Sequence, residues 1–581
     1  MFIIEQSRAA KVVDTPPQDS DVHVIMQYFE HPHPARNAEL KRVLQLLCLN
    51  PEVTWIHLLN ERIFPEFCSQ TTTSTDAPFA KIIQTNLGHR MKFKDVFGYL
   101  RENEIKGYHV IINSDICFDE TTLANLKRSD LHMSKKMMAQ LRYDVIDAIV
   151  ADFQTMCAQA VLFGPRIDSQ DTWIFHSDQA IPERFEKLFN FEFGKPGCDN
   201  KLLYLMRILG YEVINDPAFV KTYHIHVSQE RNYTAKDRVE PPYMLVGPYG
   251  YDTSVIAEPY VRSASGRAWD DVGFGDNRVL HDYVADKLSS GTRFVIPRIA
   301  GHENNYAAFG QIIKQNGGCI PDGLSEYFKK TLSIMKNNAG IQISSTSSIV
   351  QYSDMYLAAF HNCELFAGWE NFGHYIRHIE QSHDMVLKWF LPLHGDKSNN
   401  NKNKRKKMFW AFAFDIFHYI YDNPWTHALR GKRLLIVSPF EESFREKIGI
   451  RERLYDGVDL FPECSFLFIK PPQTQGSETS REFSTELQTF LAQLDRLHGQ
   501  YDVALVSCGG YGNLVCNAIY ESGHSAIYVG GVLQMYFGVL GSRWLRERPD
   551  VVRLFLNSSW SRPKSSERPK NHGNVEGSCY W

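Results

Sequence analysis

Strand-like and helix-like segments alternate in the first part of the chain, and this alternation constrains the fold more than any other feature of the sequence. The apolar segment VHVIMQYF precedes ARNAELKRVLQLLCLN, in which Leu40, Val43, Leu44 and Leu47 recur at a helical period. VTWIHLLNE and KIIQTNLG then predict strands, and KFKDVFGYLREN predicts a helix. Such alternation is typical of a parallel sheet covered by helices, so we predict an α/β fold.

The segment HVIINSDICFD continues the pattern with a strand that ends on Asn113, Ser114 and Asp115. Ligands of open α/β sheets bind at the carboxyl ends of the strands, so these side chains are candidates for a site. A turn favours the same residue types, and the segment alone leaves both interpretations open. Asp119, four residues further on, is predicted to be a turn residue or a helix cap.

Three later features of the same half carry carboxylates or imidazoles. They are Asp168 and Asp171 before an apolar strand, Cys198 and Asp199 at the start of a helix, and His224 and His226 in a strand-like run. Divalent cations such as Mg²⁺ or Mn²⁺ take carboxylate oxygens, and an imidazole is compatible with Mn²⁺. Asp199 is either an N-cap or a general base, and each of the other features also has a purely structural interpretation.

The order of these motifs resembles that of nucleotide-sugar glycosyltransferases of the GT-A fold, over about residues 20–250. Asn113-Ser114-Asp115 matches the DxD metal motif of that family, with Asn in the first place. Cys198-Asp199 matches the end of its xED motif, with Cys in place of Glu, and His224 or His226 matches its C-terminal metal-binding His.

The resemblance implies a role for each matched residue. Asp115, His224 and His226 would hold a divalent cation, Mn²⁺ or Mg²⁺, that bridges the diphosphate of the donor. Asp199 would deprotonate the acceptor hydroxyl, which implies direct displacement with inversion.

Further residues of this half are assigned to substrate binding. Asn113 belongs to this group, and Asp168 and Asp171 would position acceptor hydroxyls, with turn residues as the equal alternative. Arg142 is predicted to form a surface ion pair, with a phosphate contact as the alternative.

The second half resembles glycosyltransferases of the GT-D fold, roughly from residue 286 to 560. Arg298 and Glu303 match the R-F-G-D-G-E type motif of that family, and Gly301 stands at its Asp position. The resemblance implies that Glu303 is catalytic and that Arg298 binds substrate, with a structural ion pair as the alternative. The turn from Gly509 to Gly512 lacks the G-x-G-x-x-G spacing, so we predict tight packing there rather than a dinucleotide site.

The bulk composition excludes several classes of protein. The chain has 63 Lys and Arg against 67 Asp and Glu, so a net charge of -4 gives no reason to expect a nucleic-acid partner. Its 11 Cys contain no C-x-x-C pair, which favours a reducing compartment and a cytoplasmic location. No apolar run is long enough to span a membrane, which leaves only peripheral membrane contact open.

These observations predict two Rossmann-like α/β domains in one chain, GT-A-like and then GT-D-like, with a helical segment from Glu326 to Asn423. The predicted ranges are an N-terminal tail at 1–20, a first domain at 21–250, a linker at 251–285, a second domain at 286–560 and a C-terminal tail at 561–581. The predicted function is bifunctional transfer of sugar from UDP- or GDP-sugar donors to a glycan or sugar acceptor. The alternatives are a carbohydrate-binding or scaffold protein with a silent transferase domain, and a different transferase, such as a methyltransferase, in the second half.

Overall fold

The computed structural model divides the chain into two compact units. Unit 1 contains the described residues up to 256, and unit 2 contains those from 274 onward. The described residues are 2–68, 79–146, 152–228, 230, 234–241, 243–256, 274–368, 407–415, 420, 423–547, 552 and 554–581.

Unit 1 alternates strands with helices, as the sequence predicts. Its elements are β1 Phe2–Gln6, β2 Val22–Met26, α1 Pro34–Leu49, β3 Trp55–Asn60, β4 Ile82–Asn86, α2 Phe93–Glu102, β5 Tyr108–Ile112, β6 Ile116–Phe118, α3 Glu120–Leu123, β7 Lys136–Gln140, β8 Tyr143–Asp144, α4 Phe153–Gln159, β9 Val161–Leu162, β10 Thr172–His176, α5 Glu183–Glu186, α6 Cys198–Ile208, β11 Glu212–Ile214, β12 Thr222–His224 and β13 Tyr243–Gly247.

A seven-stranded sheet in the order β11-β7-β10-β5-β2-β3-β4 forms the centre of unit 1. The predicted apolar face of α1 is confirmed, since Leu40, Val43, Leu44 and Leu47 are all buried. They belong to a core that also contains Val24 and other residues of β2, β3 and β5. Burial of this apolar surface, at about 25 cal/mol per Å², is the main stabilising contribution to such a core.

One strand departs from the predicted parallel arrangement. β10 runs antiparallel to both of its neighbours, β5 and β7, and Thr172 at its start pairs with Ile112 at the end of β5. The segment before β10 therefore approaches the edge of the sheet where β5 ends. This reversal places Asp171 beside Asn113, and the backbone N–H of Asn113 donates to the carbonyl of Asp171 at 3.1 Å.

A four-stranded sheet in the order β6-β12-β8-β9 carries other parts of the site. β6 follows directly on the segment that contains Asp115, and β12 pairs with β6 and β8. Asp119 caps α3 by accepting from the N–H of Thr122 at 2.7 Å, so the predicted helix cap is confirmed.

Unit 2 is a second α/β unit. Its elements are α7 Phe274–Ser289, β14 Val295–Ile296, α8 Gly301–Gln315, α9 Ser325–Ile334, α10 Thr346–Asn362, β15 Leu365–Gly368, β16 Lys407–Trp410, β17 Arg433–Val437, α11 Glu441–Lys447, α12 Arg451–Leu454, β18 Ser465–Ile469, α13 Phe483–Leu494, β19 Val503–Val506, α14 Gly512–Glu521, β20 Ser525–Tyr528, α15 Leu533–Tyr536 and α16 Ser542–Glu547.

A five-stranded parallel sheet in the order β14-β20-β19-β17-β18 organises unit 2. α8, α9 and α10 supply much of its core, so the predicted α/β class with a helical segment is confirmed. The second part of the segment predicted as helical contains β15 and β16, and residues 369–406 lie outside the described residues.

Three segments predicted as tails or linker contain ordered structure. β1 pairs in parallel with β13, and α7 begins at Phe274 inside the predicted linker. Trp581 in the predicted C-terminal tail is buried, and its ring N–H donates to the carbonyl of Glu567 at 3.2 Å. Each segment contains at least one buried apolar side chain, namely Ile4, Leu280 and Trp581 respectively.

No helix among the described residues combines the length and apolar character that crossing a bilayer requires.

Candidate active site

A cavity of about 920 Å³ in unit 1 opens at the carboxyl ends of β2, β3 and β5. All the residues that the sequence assigns to the site of the first half line this cavity: Asn113, Asp115, Asp168, Asp171, Asp199, His224 and His226. Asn113 and Asp115 follow β5 directly, whereas the others come from distant parts of the chain. The fold therefore brings together a set of side chains that lie more than a hundred residues apart along the chain.

Asp115 lies at the centre of a group of possible metal ligands. Its Oδ2 atom is 3.3 Å from Nε2 of His224 and 3.7 Å from Nδ1 of His226. The ligand atoms of these three residues all lie within 4.8 Å of one another. Burial acts to raise the pKa of Asp115, but the charge and hydrogen bond of His224, together with the charge of Arg36, hold it well below its usual range.

His224 is held by a second carboxylate. Its Nδ1 atom lies 2.9 Å from Oδ1 of Asp144, and this contact leaves Nε2 directed at Asp115. Burial acts to lower the pKa of His224, but Asp115 and Asp144 raise it to about 9. A carboxylate on the far ring nitrogen is the usual support of a metal-binding histidine, because it fixes the orientation of the ring.

Arg142 connects Asp144 with Asp171. Its Nε atom is 2.8 Å from Oδ1 of Asp144, and its Nη1 atom is 2.6 Å from Oδ2 of Asp171. Arg142 thus forms an ion pair, as predicted, but the pair is buried rather than on the surface. The guanidinium also packs on the ring of Phe163. The other oxygen of Asp171 accepts from Nδ2 of Asn113 at 2.6 Å.

Asp168 also lines the cavity, where Arg166 holds it through two contacts of 2.9 and 3.0 Å. The paired guanidinium and carboxylate present polar groups at the cavity wall, which suits contact with hydroxyl-rich ligands.

Asp199 is a half-buried carboxylate at the start of α6. The preceding Gly197 has φ of 79°, and a Cβ there would lie 3.0 Å from the hydroxyl of Tyr243, so this turn requires glycine. The N–H of Gln170 donates to Oδ2 of Asp199 at 3.2 Å. Burial raises the pKa of Asp199 to about 7, and the charges of Asp171 and Asp168 act in the same direction. A carboxylate with a pKa near neutrality is matched to proton transfer at physiological pH.

Arg36, Glu39 and Asp144 belong to this site and were missed in the sequence. Arg36 donates to the carboxylate of Asp115, to Glu39 at 2.9 Å and to the carbonyl of Ile225 at 2.9 Å. Arg36 and Glu39 lie on the buried face of α1 beside Leu40. A charged pair three residues apart on the apolar face of a predicted helix was the available signal, because such groups are buried only when they are paired.

The sequence around Asp144 gives a weaker indication that this residue belongs to the site. It follows Arg142 by two residues at the end of a short strand, and no spacing motif connects it with His224. Only the pairing of β8 with β12, in which Asp144 is opposite His224, brings the two side chains together.

Arg298 and Glu303 lie near each other in unit 2, at the carboxyl end of β14 and in the first turn of α8. The guanidinium of Arg298 donates to the carbonyl of Val529, and Gly530 leaves room for it, because a Cβ there would lie 2.0 Å from Nη1. Glu303 is buried, and burial raises the pKa of its carboxyl group. Arg298 therefore connects the end of β14 with the turn after β20 in unit 2.

No family model and no curated protein sequence matches the chain. Similar solved structures include a mannosyltransferase from Pyrobaculum calidifontis in complex with GDP-Man and Mn²⁺, at 14% identity and a TM-score of 0.24. That match covers 39% of this chain and 62% of the mannosyltransferase, so the chain spans less than two thirds of its length.

Two further similar structures are also glycosyltransferases. A new glycosyltransferase (DUF1792) from Streptococcus sanguinis has 12% identity and a TM-score of 0.27, over 49% of this chain and 94% of its own. The glycosyltransferase GlyE of Streptococcus pneumoniae TIGR4 has 11% identity and a TM-score of 0.19, over 87% of this chain and 90% of its own. The chain is thus similar to solved glycosyltransferases, as the sequence predicts.

Proposed function

We propose that unit 1 is a metal-dependent glycosyltransferase that uses a nucleotide-sugar donor and inverts the configuration at the transferred sugar. The observation that carries this proposal is the presence, in one cavity, of the Asp115–His224–His226 group and of Asp199, whose pKa is raised to about 7. The first group suits a cation that neutralises a diphosphate, and the second suits removal of a proton from an acceptor hydroxyl.

The donor atoms fit a divalent cation. One carboxylate and two imidazoles lie within reach of a common ion, and imidazole is a ligand of transition metals rather than of Mg²⁺. Of the two ions predicted from the sequence, these ligands favour Mn²⁺. The Oδ1 atom of Asn113 adds support. It is buried and has no hydrogen-bond partner among the described residues, so a bound ligand would satisfy it.

A cation bound by Asp115, His224 and His226 would supply positive charge for the leaving diphosphate. The protein side chains perform the remaining tasks. Asp144 and Arg142 hold His224 and Asp171 in place, and Asp171 and Asp168 line the cavity where acceptor hydroxyls would bind. Asp199 takes the proton of the attacking hydroxyl, in keeping with displacement from the opposite face of the sugar and an oxocarbenium-like transition state.

The proposal extends to the remaining predictions. Unit 2 is a second transferase unit in which Glu303 and Arg298 contact substrate, with the boundaries predicted from the sequence. UDP- or GDP-sugars are the donors and a glycan is the acceptor. The free thiols of all 11 cysteines support a reducing compartment, the cytoplasm.

Release of nucleotide from a panel of UDP- and GDP-sugars, in the presence of Mn²⁺ and candidate glycans, tests the proposal. We expect one nucleotide with Mn²⁺ to raise the unfolding temperature, because a ligand of the native state stabilises it by mass action. Asp115→Ala should abolish this shift. Stabilisation by a nucleotide without turnover of any donor would favour the carbohydrate-binding alternative, and no response to any nucleotide would refute a nucleotide-sugar site.

A further inference from the structure

Six side chains at and behind the cavity wall form a series of hydrogen bonds and ion pairs that the backbone completes into a circuit, which we call the Arg142 ring. Its members, in order of contact, are Asp115, His224, Asp144, Arg142, Asp171 and Asn113. The circuit closes through the backbone, because Asn113 and Asp115 are two residues apart after β5.

Arg142 connects two carboxylates of this ring, Asp144 and Asp171. Its guanidinium contacts Asp144 at 2.8 Å and Asp171 at 2.6 Å, and its Cζ atom lies 3.9 Å from the centroid of the Phe163 ring. The side chain is only 11% exposed. A planar guanidinium with fixed donor directions, packed on an aromatic ring, holds two carboxylates in defined orientations.

Each of these carboxylates orients one further residue. Asp144 binds Nδ1 of His224 and leaves Nε2 directed at Asp115. Asp171 accepts from Nδ2 of Asn113, and this hydrogen bond fixes the orientation of the Asn113 amide. The buried Oδ1 atom of Asn113 is then an uncharged acceptor without a hydrogen-bond partner among the described residues.

The polarity of the contact between Asn113 and Asp171 explains the residue type at position 113. Asn113 now donates to Asp171 over 2.6 Å. A carboxylate at position 113 has no hydrogen to donate, so its oxygen would face the carboxylate of Asp171 at about the same short distance. Two like charges so close cannot both remain ionised without one of them moving. The change that would complete a D-x-D sequence is therefore incompatible with this ring.

We propose that Arg142 is a positioning residue that aims His224 through Asp144 and Asn113 through Asp171, and that position 113 consequently requires an uncharged amide. The part of this inference that concerns cation binding rests on the function proposed for unit 1. The requirement for an amide concerns the folded unit itself and holds without any ligand.

A double-variant cycle on the full chain tests the proposal, with the wild type, Asn113→Asp, Asp171→Asn and the combination of both. In the combination the carboxylate and the amide exchange places, so the hydrogen bond is restored and the amide oxygen at position 171 still accepts from Arg142. Thermal unfolding in EDTA and titration with Mn²⁺ alone, followed by its EPR signal, are the two measurements.

We expect Asn113→Asp to lower the unfolding temperature and to weaken Mn²⁺ binding about tenfold or more, as loss of a group that supports a ligand does. The combined variant should recover most of both losses. Asn86→Asp is the matched control, because Asn86 ends β4 in the same sheet and uses Oδ1 to accept from the N–H of Gly88 at 3.0 Å, which a carboxylate can also do. It should change neither measurement.

Two results would overturn the proposal. One is an Asn113→Asp variant that binds Mn²⁺ as the wild type does, whether or not its unfolding temperature falls. The other is a combined variant whose losses equal the sum of the two single losses. If the wild type itself binds no Mn²⁺, the cation site of the proposed function fails, and the thermal cycle alone decides whether position 113 requires an amide.

Discussion

The guanidinium of Arg36 binds Asp115 through Oδ2, the same carboxylate oxygen that faces the imidazoles of His224 and His226. The side chain of Arg36 is 5% exposed, and it also donates to Glu39. A cation that binds Asp115 must therefore compete with a buried ion pair. Arg36 keeps two buried carboxylates paired, and this pairing would lower the apparent affinity of Asp115 for a cation.

Replacement of Arg36 by Gln should separate these two effects. In EDTA we expect Arg36→Gln to lower the free energy of unfolding by about 3–5 kcal/mol, because Asp115 and Glu39 lose a buried cationic partner. Saturating Mn²⁺ should reduce this deficit, since the ion replaces the lost charge. Chemical unfolding with and without Mn²⁺ measures both values.

The matched control for Arg36 is Arg62→Gln, which removes an exposed ion pair with Glu30 and should cost about 0–1 kcal/mol. An Arg36→Gln deficit that is equal with and without Mn²⁺ would show that the ion does not bind at Asp115.

The rate of sugar transfer should rise with pH through the pKa of Asp199. Burial raises this pKa to about 7, and only the ionised carboxylate accepts the proton of the acceptor hydroxyl. We expect Asp199→Asn to retain donor binding and to lose transfer by at least about a hundredfold, the usual contribution of a general base. A pH profile of kcat with a saturating donor checks the first statement. A flat profile between pH 5.5 and 8.5 would contradict it.

The same raised pKa affects stability, with a defined sign. The native state binds the proton of Asp199 more tightly than the unfolded chain does, so this contribution is fully present below the usual pKa of about 3.8 and is lost as pH rises through about 7. Asn resembles the protonated carboxyl group. Asp199→Asn should therefore be more stable than the wild type at pH 8.5, by a few kcal/mol at most, and the difference should shrink toward pH 5. Urea unfolding at the two pH values measures it.

Local sequence patterns were sufficient for the elements of unit 1 but not for the contacts between them. The apolar period of α1 and the polar end of β5 follow from neighbouring residues, so both could be predicted. The antiparallel direction of β10 could not be predicted, because the direction of a strand depends on its partners. The alternation of side chains along a strand is the same in either direction. That reversal is the reason why Asp171 is a partner of Asn113 rather than an isolated turn residue.

The candidate metal ligands of the site were predictable, and most of the residues that hold them in place were not. Asp115, His224 and His226 have a chemistry that can be recognised along the chain, and matching motifs assigned them together. Arg36 and Asp144 act only through geometry, Arg36 from the buried face of a helix and Asp144 from a strand of two residues. Their residue types are common on protein surfaces, so composition alone could not distinguish them from solvated charges.

Acid should destabilise unit 1 through a group of buried histidines on its central sheet. Nδ1 of His23 lies 3.0 Å from Nε2 of His57, and His109 pairs with His23 on the adjacent strand. Burial lowers the pKa of His57 and of His109 to about 3, so the native state keeps both neutral while the unfolded chain takes up protons near pH 6.5. Stability contributed by these residues is therefore present above pH 6.5 and is lost as pH falls toward 3.

A His57→Gln variant checks the contribution of one histidine. It should reduce the slope of unfolding free energy against pH by about 1.4 kcal/mol per pH unit between pH 6 and 4, because one proton fewer is taken up on unfolding. The exposed His33→Gln is the control and should leave the slope unchanged. Equal slopes in the wild type and His57→Gln would mean that His57 is already protonated in the native state.

The C-terminal segment should contribute measurably to the stability of unit 2. Trp581 is 8% exposed, it packs against Phe440 with ring centroids 6.1 Å apart, and its indole N–H donates to the carbonyl of Glu567. Replacement of a buried Trp by Ala typically costs about 3–5 kcal/mol, because packing is lost and a cavity remains. We expect Trp581→Ala to lower the unfolding free energy of unit 2 within this range, and Trp581→Phe to lower it by less. Differential scanning calorimetry of the full chain makes the measurement, and an unchanged transition in Trp581→Ala would indicate that the segment is undocked in solution.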